Sequence, residues 1–318
     1  MSEKKGLLSS GWRMVVHNKR YILWFWLLNL TLAEFGTAAF RKSAHGILDH
    51  SMAADRLLHG FDLAVMIGLF ARPEFGSMAA MSTVAGYFAF LFLLFTALFL
   101  PGVFQGYAST YRLPREDFFR ACGRNLWRFI RLMFVAGIVM GIFAGALFGI
   151  SGALVKKAGE STNEVLPFEI HMASLAVIFL VMTVLRIWFD LAEADIVLND
   201  QRAVRKSIGN GFRHTFRAFW RLLTSYVLTT IAAAVILVGG LWIWMKVVGP
   251  EHWFDAFIVS QIILLLLLIP RFWQRGIAVS YWQQNMVVPV VTYPSPFLDP
   301  KPVVAVAAPL PSPAPEGV

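Results

Sequence analysis

Three groups of residues have the types and spacing to do chemistry. Asp55, His59 and Asp62 stand at i, i+4 and i+7. On a helix they would share one face, and two carboxylates with an imidazole could hold a divalent metal. They could equally be the wet side of an amphipathic helix whose other side carries Leu57, Leu58, Phe61 and Leu63. Arg186, Asp190 and Glu193 repeat that spacing inside an apolar stretch, and Arg271 and Arg275 follow Pro270 in another. An unpaired charge at the centre of a bilayer costs about 2.5–3.5 kcal/mol on insertion scales, so these five are expected to pair across or within helices. A staple between the two stretches is the first reading; a proton or ion relay and snorkelling to the interface are the alternatives. Glu34 is the third case. It lies in an apolar stretch, and Arg41 is seven residues on, able to reach back along the same face. The functional alternative for Glu34 is a relay carboxylate.

Beyond these the chain offers no catalytic signature. It has no His-Glu-x-x-His, no Gly-x-Ser-x-Gly, no phosphate-binding Gly-Lys-Ser/Thr loop and no dinucleotide fingerprint. No catalytic residue, cofactor or metal is therefore expected. Cys122 is the sole cysteine, which excludes an intrachain disulfide.

The elements that must position these residues are apolar helices. Of 318 residues 58% are hydrophobic and 15% charged, too much apolar surface for a water-soluble fold to hide. About 20 apolar residues cross the hydrocarbon core. Six stretches reach that length, near 21–40, 83–107, 130–155, 170–198, 222–245 and 256–281. The expected fold is thus an all-α integral membrane bundle of six helices. Residues 1–20 form a cytoplasmic amphipathic segment, residues 41–77 an outer loop, and 286–318 a disordered Pro-rich tail.

Lysine and arginine set the orientation. Residues 1–20, 109–130, 199–221 and the tail from Arg271 carry five, five, six and three, whereas 41–77, 156–170 and 246–255 carry four, two and one. Every second connection is basic, which places both termini in the cytoplasm. The net charge of +9 is thereby explained without nucleic acid. The segment before Arg41-Lys42 contains Glu34 and no small-residue cleavage site, so it reads as an uncleaved first span.

Two finer patterns concern packing. Gly137, Gly141, Gly145 and Gly149 form one glycine ridge, expected to let another helix of this chain approach closely; a homodimer seam and a substrate path are the alternatives. Three basic aromatic segments also resemble one another: Gly11 to Asn18, Phe118 to Asn125, and Gly211 to Ala218. Each precedes an outward span, as interfacial helices facing anionic headgroups would. The architecture could then be three helix-plus-hairpin repeats. The other reading is that any basic aromatic stretch before a span has this look.

The stretch Trp188-Phe189-Asp190-Leu191-Ala192-Glu193-Ala194-Asp195-Ile196-Val197-Leu198-Asn199-Asp200, continued from Ala203 to Leu223, carries a family likeness. It resembles uncharacterised bacterial polytopic proteins similar to the membrane domain found beside glycerophosphodiester phosphodiesterases. The resemblance implies a bacterial inner-membrane helical bundle. The phosphodiesterase catalytic domain has no counterpart here, so its activity is not implied. Three functional expectations follow: a non-enzymatic scaffold or accessory component of an envelope process, with the bilayer and a membrane protein or second copy as partners; a permease or channel for a small solute; and an intramembrane enzyme.

Overall fold

The computed structural model describes residues 6–48, 67–68, 78–109, 111–160, 163, 165–247 and 253–285. Among them helix is the only regular structure and there is no strand. Its main elements are α1 (Leu7–His17), α2 (Arg20–Leu48), α3 (Met78–Ala108), α4 (Arg115–Ala158), α5 (Leu166–Leu198), α6 (Val204–Arg217), α7 (Phe219–Val247) and α8 (Trp253–Asn285). The metal candidates Asp55, His59 and Asp62, most of the expected outer loop and the Pro-rich tail lie outside the described residues.

Local signals account for the helix ends. α4 starts after Pro114 with Glu116 and Asp117 in its first turn and ends with Lys156 and Lys157 in its last. Both charge placements oppose the helix dipole. α5 has Pro167 in its first turn, where the missing N–H costs nothing, and Glu169 beside it. It ends before Asp200, whose φ of 46° is left-handed, a conformation that Asp tolerates better than most residues.

Five of the described helices, α3, α4, α5, α7 and α8, are long and apolar enough to cross a membrane. This is the pattern of a multi-pass membrane protein. The most apolar window of α4 has no buried residue, and Phe134, Ile142, Phe148 and Ile150 on it are exposed. A surface this apolar requires hydrocarbon around it. α2, at the expected first span, continues as helix through Leu48 and takes in the start of the expected loop.

Burial is concentrated at the basic end of the bundle. Tyr21, Phe104, Phe118, Phe129, Leu132, Tyr226, Phe272 and Trp282 are sealed there. The helices pack in a closed order. α4 pairs with α5, α7 with α8 and α2 with α3. α1 packs on α8, α4 on α3, and α6 on α5. The helices α3, α5 and α8 also touch one another pairwise and make the centre.

Two crossings demand glycine. A Cβ at Gly11 of α1 would sit 2.9 Å from the Ile277 backbone nitrogen of α8, and one at Gly211 of α6 would sit 2.7 Å from the Trp188 carbonyl oxygen of α5. Neither distance admits a side chain. The glycine ridge behaves in the opposite way. A Cβ at Gly137, Gly141, Gly145 or Gly149 meets nothing within 4 Å among the described residues. The expected contact with another helix of this chain is not found among the described residues, and the four share one exposed face.

In the second basic segment, residues Phe118 to Asn125 are continuous with the span that follows, as the first turns of the 44-residue α4. At 1.5 Å per residue α4 is about 66 Å long, roughly twice a hydrocarbon core.

Candidate functional site

The densest polar cluster lies where α5, α7 and α8 meet at the basic end. Arg186, Asp190 and Glu193 fall on one face of α5, as their spacing requires. Arg186 Nε is 3.9 Å from Asp190 Oδ2, an ion pair within the helix. Asp190 is buried, and Tyr226 of α7 is wholly so. The Tyr226 hydroxyl lies 2.9 Å from Asp190 Oδ2 and 3.1 Å from the Gln274 carbonyl oxygen of α8, sharing its one proton between two acceptors. Gln274 Nε2 in turn donates to Thr230 Oγ1 on α7 at 3.1 Å.

Among the described residues the hydrogen-bonded tie between α5 and α8 runs through Tyr226, and no arginine–carboxylate ion pair of Arg271 or Arg275 accompanies it. Arg271 is exposed. Arg275 is close enough to Glu193 and Asp190 to act on them electrostatically, yet its Nε has no hydrogen-bond partner, and neither has Glu193 Oε2. Tyr226, Gln274 and Thr230 escaped sequence reasoning because neutral polar residues raise no charge signal. The run Thr224-Ser225-Tyr226 inside an apolar span was the available clue.

A second polar knot joins α5 to α6. Asp195, with no exposed surface, accepts from Asn199 Nδ2 at 2.6 Å and from Asn210 Nδ2 at 3.1 Å. Trp188 Nε1 donates to the Ile208 carbonyl at 2.7 Å and Trp282 Nε1 to the Leu191 carbonyl at 2.9 Å. The ring of His214 on α6 packs tilted against Trp282, with centroids 4.9 Å apart. Burial pushes the His214 imidazole below its ordinary range; Arg217 and Arg213 push the same way, and Asp195 opposes them. Beyond α5 the left-handed Asp200 presents its carboxylate to Arg128 of α4 at 2.7 Å.

No family model matches the chain, and neither curated proteins nor solved structures give a significant match. Function must therefore be argued from the site's own chemistry.

At the far end Glu34 and Arg41 pair at 2.8 Å, both about half exposed. With Trp244, Phe254, Ala256, Phe257 and Ser260 they line a groove of about 670 Å³ between α2, α7 and α8. Among the described residues no three metal-ligating side chains cluster. The cluster at the basic end mixes carboxylates with guanidiniums and hydroxyls. It can fix helices against one another.

Proposed function

We propose that the chain is a six-span protein of the bacterial inner membrane with both termini in the cytoplasm, acting as a non-enzymatic scaffold or accessory component of an envelope process. In this reading it is built from three long–short helical hairpins closed into a ring. The long members are residues 7–48, 115–158 and 204–247; the short ones are α3, α5 and α8, of 31, 33 and 33 residues. Equivalent positions share burial. Gly11, Phe118 and Gly211 are buried, as are Val15, Cys122 and Thr215, then Ile22, Phe129 and Leu222, then Phe25, Leu132 and Ser225. Each basic segment packs on the short helix of the preceding hairpin, with the first segment closing on the last hairpin.

One observation carries the functional reading. The buried face of every basic segment is matched by an exposed face of the same kind: Trp12-Arg13, Phe119-Arg120 and Phe212-Arg213 all point outwards. Such a collar places rings at headgroup level and cations among anionic phosphates, and it offers a protein partner a rim at the membrane surface. The likeness of residues 188–223 to bacterial polytopic proteins supports the same placement. A photo-crosslinking residue at Trp12, Phe119 or Phe212 in native membranes should capture one common protein, and the same probe at Phe143 should not. Absence of protein adducts at all three collar positions overturns the scaffold.

The groove beside Glu34 favours a second reading, a permease for a small solute. Solute flux through proteoliposomes of the purified chain, lost in Glu34→Gln, would establish it in place of the first.

A further inference from the structure

We propose that the gap between the first and third hairpins holds a zwitterionic phospholipid of the far leaflet, its headgroup set on the Glu34–Arg41 pair. The gap is a built feature of the bundle. At the basic end α2 and α8 meet ring to ring, Phe25 on Phe272 with centroids 5.1 Å apart. Beyond that level the hairpins part. Among the described residues no buried side chain follows Phe25 on α2 or Thr229 on α7, and none precedes Leu268 on α8. Each of the two hairpins nevertheless stays paired with itself. A Cβ at Gly36 of α2 would lie 3.4 Å from Phe88 of α3, and one at Gly240 of α7 would lie 2.7 Å from Ile263 of α8. On α8 the partly covered residues there, Ala256, Val259 and Ile263, make one seam, while Phe254, Phe257 and Ile258 are exposed. The space left between the two hairpins is the groove of about 670 Å³.

The chemistry of the groove selects its occupant. Trp244, Phe254 and Phe257 give it an apolar wall, and Glu34 and Arg41 give it a polar end. At 1.5 Å per residue α2 carries these two about 20 and about 30 Å beyond Arg20, the second near the far edge of a hydrocarbon core. Trp244 at the same end suits headgroup level. The pair is bonded through Arg41 Nη2 and Glu34 Oε2 at 2.8 Å, and both side chains are about half exposed. Arg41 has further N–H donors and Glu34 a second acceptor oxygen. An anion alone would meet Glu34 and a cation alone would meet Arg41, each leaving one charge of the pair uncompensated outside water. A phosphate on Arg41 with an ammonium on Glu34 satisfies both, and the acyl chains cover the rings. The inference uses the placement of α2 as a span and not the scaffold reading.

Phosphatidylethanolamine with a photoreactive diazirine in one acyl chain tests it, in nanodiscs of the purified full-length protein. Adducts at Trp244, Phe254 and Phe257 should exceed those at Phe143, on the exposed face of α4, several-fold. Equal labelling makes the groove ordinary lipid-facing surface and overturns the site. The same probe built on phosphatidylglycerol should lose the excess, and an undiminished excess overturns the zwitterionic headgroup. Both comparisons use the native chain. Glu34→Gln combined with Arg41→Gln should abolish the excess seen with phosphatidylethanolamine, and an unaltered excess overturns the role of the pair. No adduct at Leu27, which is exposed on α2, would take α2 out of hydrocarbon and overturn the site together with the six-span placement. A small solute is the rival occupant. Glycerol flux through proteoliposomes that Glu34→Gln abolishes, with no lipid excess in the groove, assigns the place to a solute and overturns the lipid.

Discussion

Tyr226 joins three helices because its hydroxyl reaches a carboxylate on α5 and a carbonyl on α8 from its own place on α7. A hydrogen bond to a charged group contributes about 1.5–3 kcal/mol, and breaking this one leaves buried Asp190 with only its 3.9 Å ion pair to Arg186. Tyr226→Phe should lower the unfolding free energy in detergent by about that amount. Thr224→Ala, on the exposed side of the same helix, should be close to neutral. His214 gives a pH dependence. Its imidazole titrates below 6.5 in the fold, so the unfolded chain binds the proton more readily. The contribution is present above pH 6.5 and is lost as pH falls from there through the lower folded value. Melting temperature followed downwards from neutral pH should therefore fall more steeply for the native chain than for His214→Gln, and parallel curves would deny the effect.

At the scale of elements, glycine spacing and glycine environment part company. The ridge of Gly137, Gly141, Gly145 and Gly149 has the spacing that membrane helices use to dock, yet its surroundings are open. Gly11 and Gly211 stand in polar segments with no glycine periodicity, and both lie against backbone. Gly211→Leu should drive α6 off α5 and lower the melting temperature markedly, with Gly11→Leu doing the same to α1 and α8. Gly145→Leu should leave the melting temperature of the isolated chain unchanged, a comparison made in one set of thermal scans. Sequence reasoning singled out the ridge because periodicity reports which residues share a face, and only contact reports what that face meets.

For the whole molecule, the topology proposed from the alternation of basic connections is open to a direct test. Single cysteines in a Cys122→Ser background test it. Probes at Arg112 and Arg202 should react with a membrane-impermeant thiol reagent only after the membrane is opened, and one at Glu160 should react in sealed cells. Arg112 and Glu160 reacting from the same side would mean that α4 does not cross the membrane. The basic collar adds a composition dependence. A cation at an anionic surface contributes about 1 kcal/mol, screened by salt. The triple change of Arg13, Arg120 and Arg213 to Gln should remove most of the preference for phosphatidylglycerol over phosphatidylcholine, measured by spin-label lipid selectivity. Arg120 should count least, because Asp117 already sits 3.4 Å from it.

Hydropathy and charge by themselves determined the helical class, the approximate bounds of the apolar stretches and the likeness of the three basic segments. Those properties are sums over neighbouring residues, and the solvent acts on each stretch independently. Which segment closes on which hairpin, which glycines are pressed against backbone, and that a tyrosine ties α5 to α8 were decided only by the tertiary structure. Each depends on residues far apart in sequence meeting at a particular distance, and no local pattern encodes that distance.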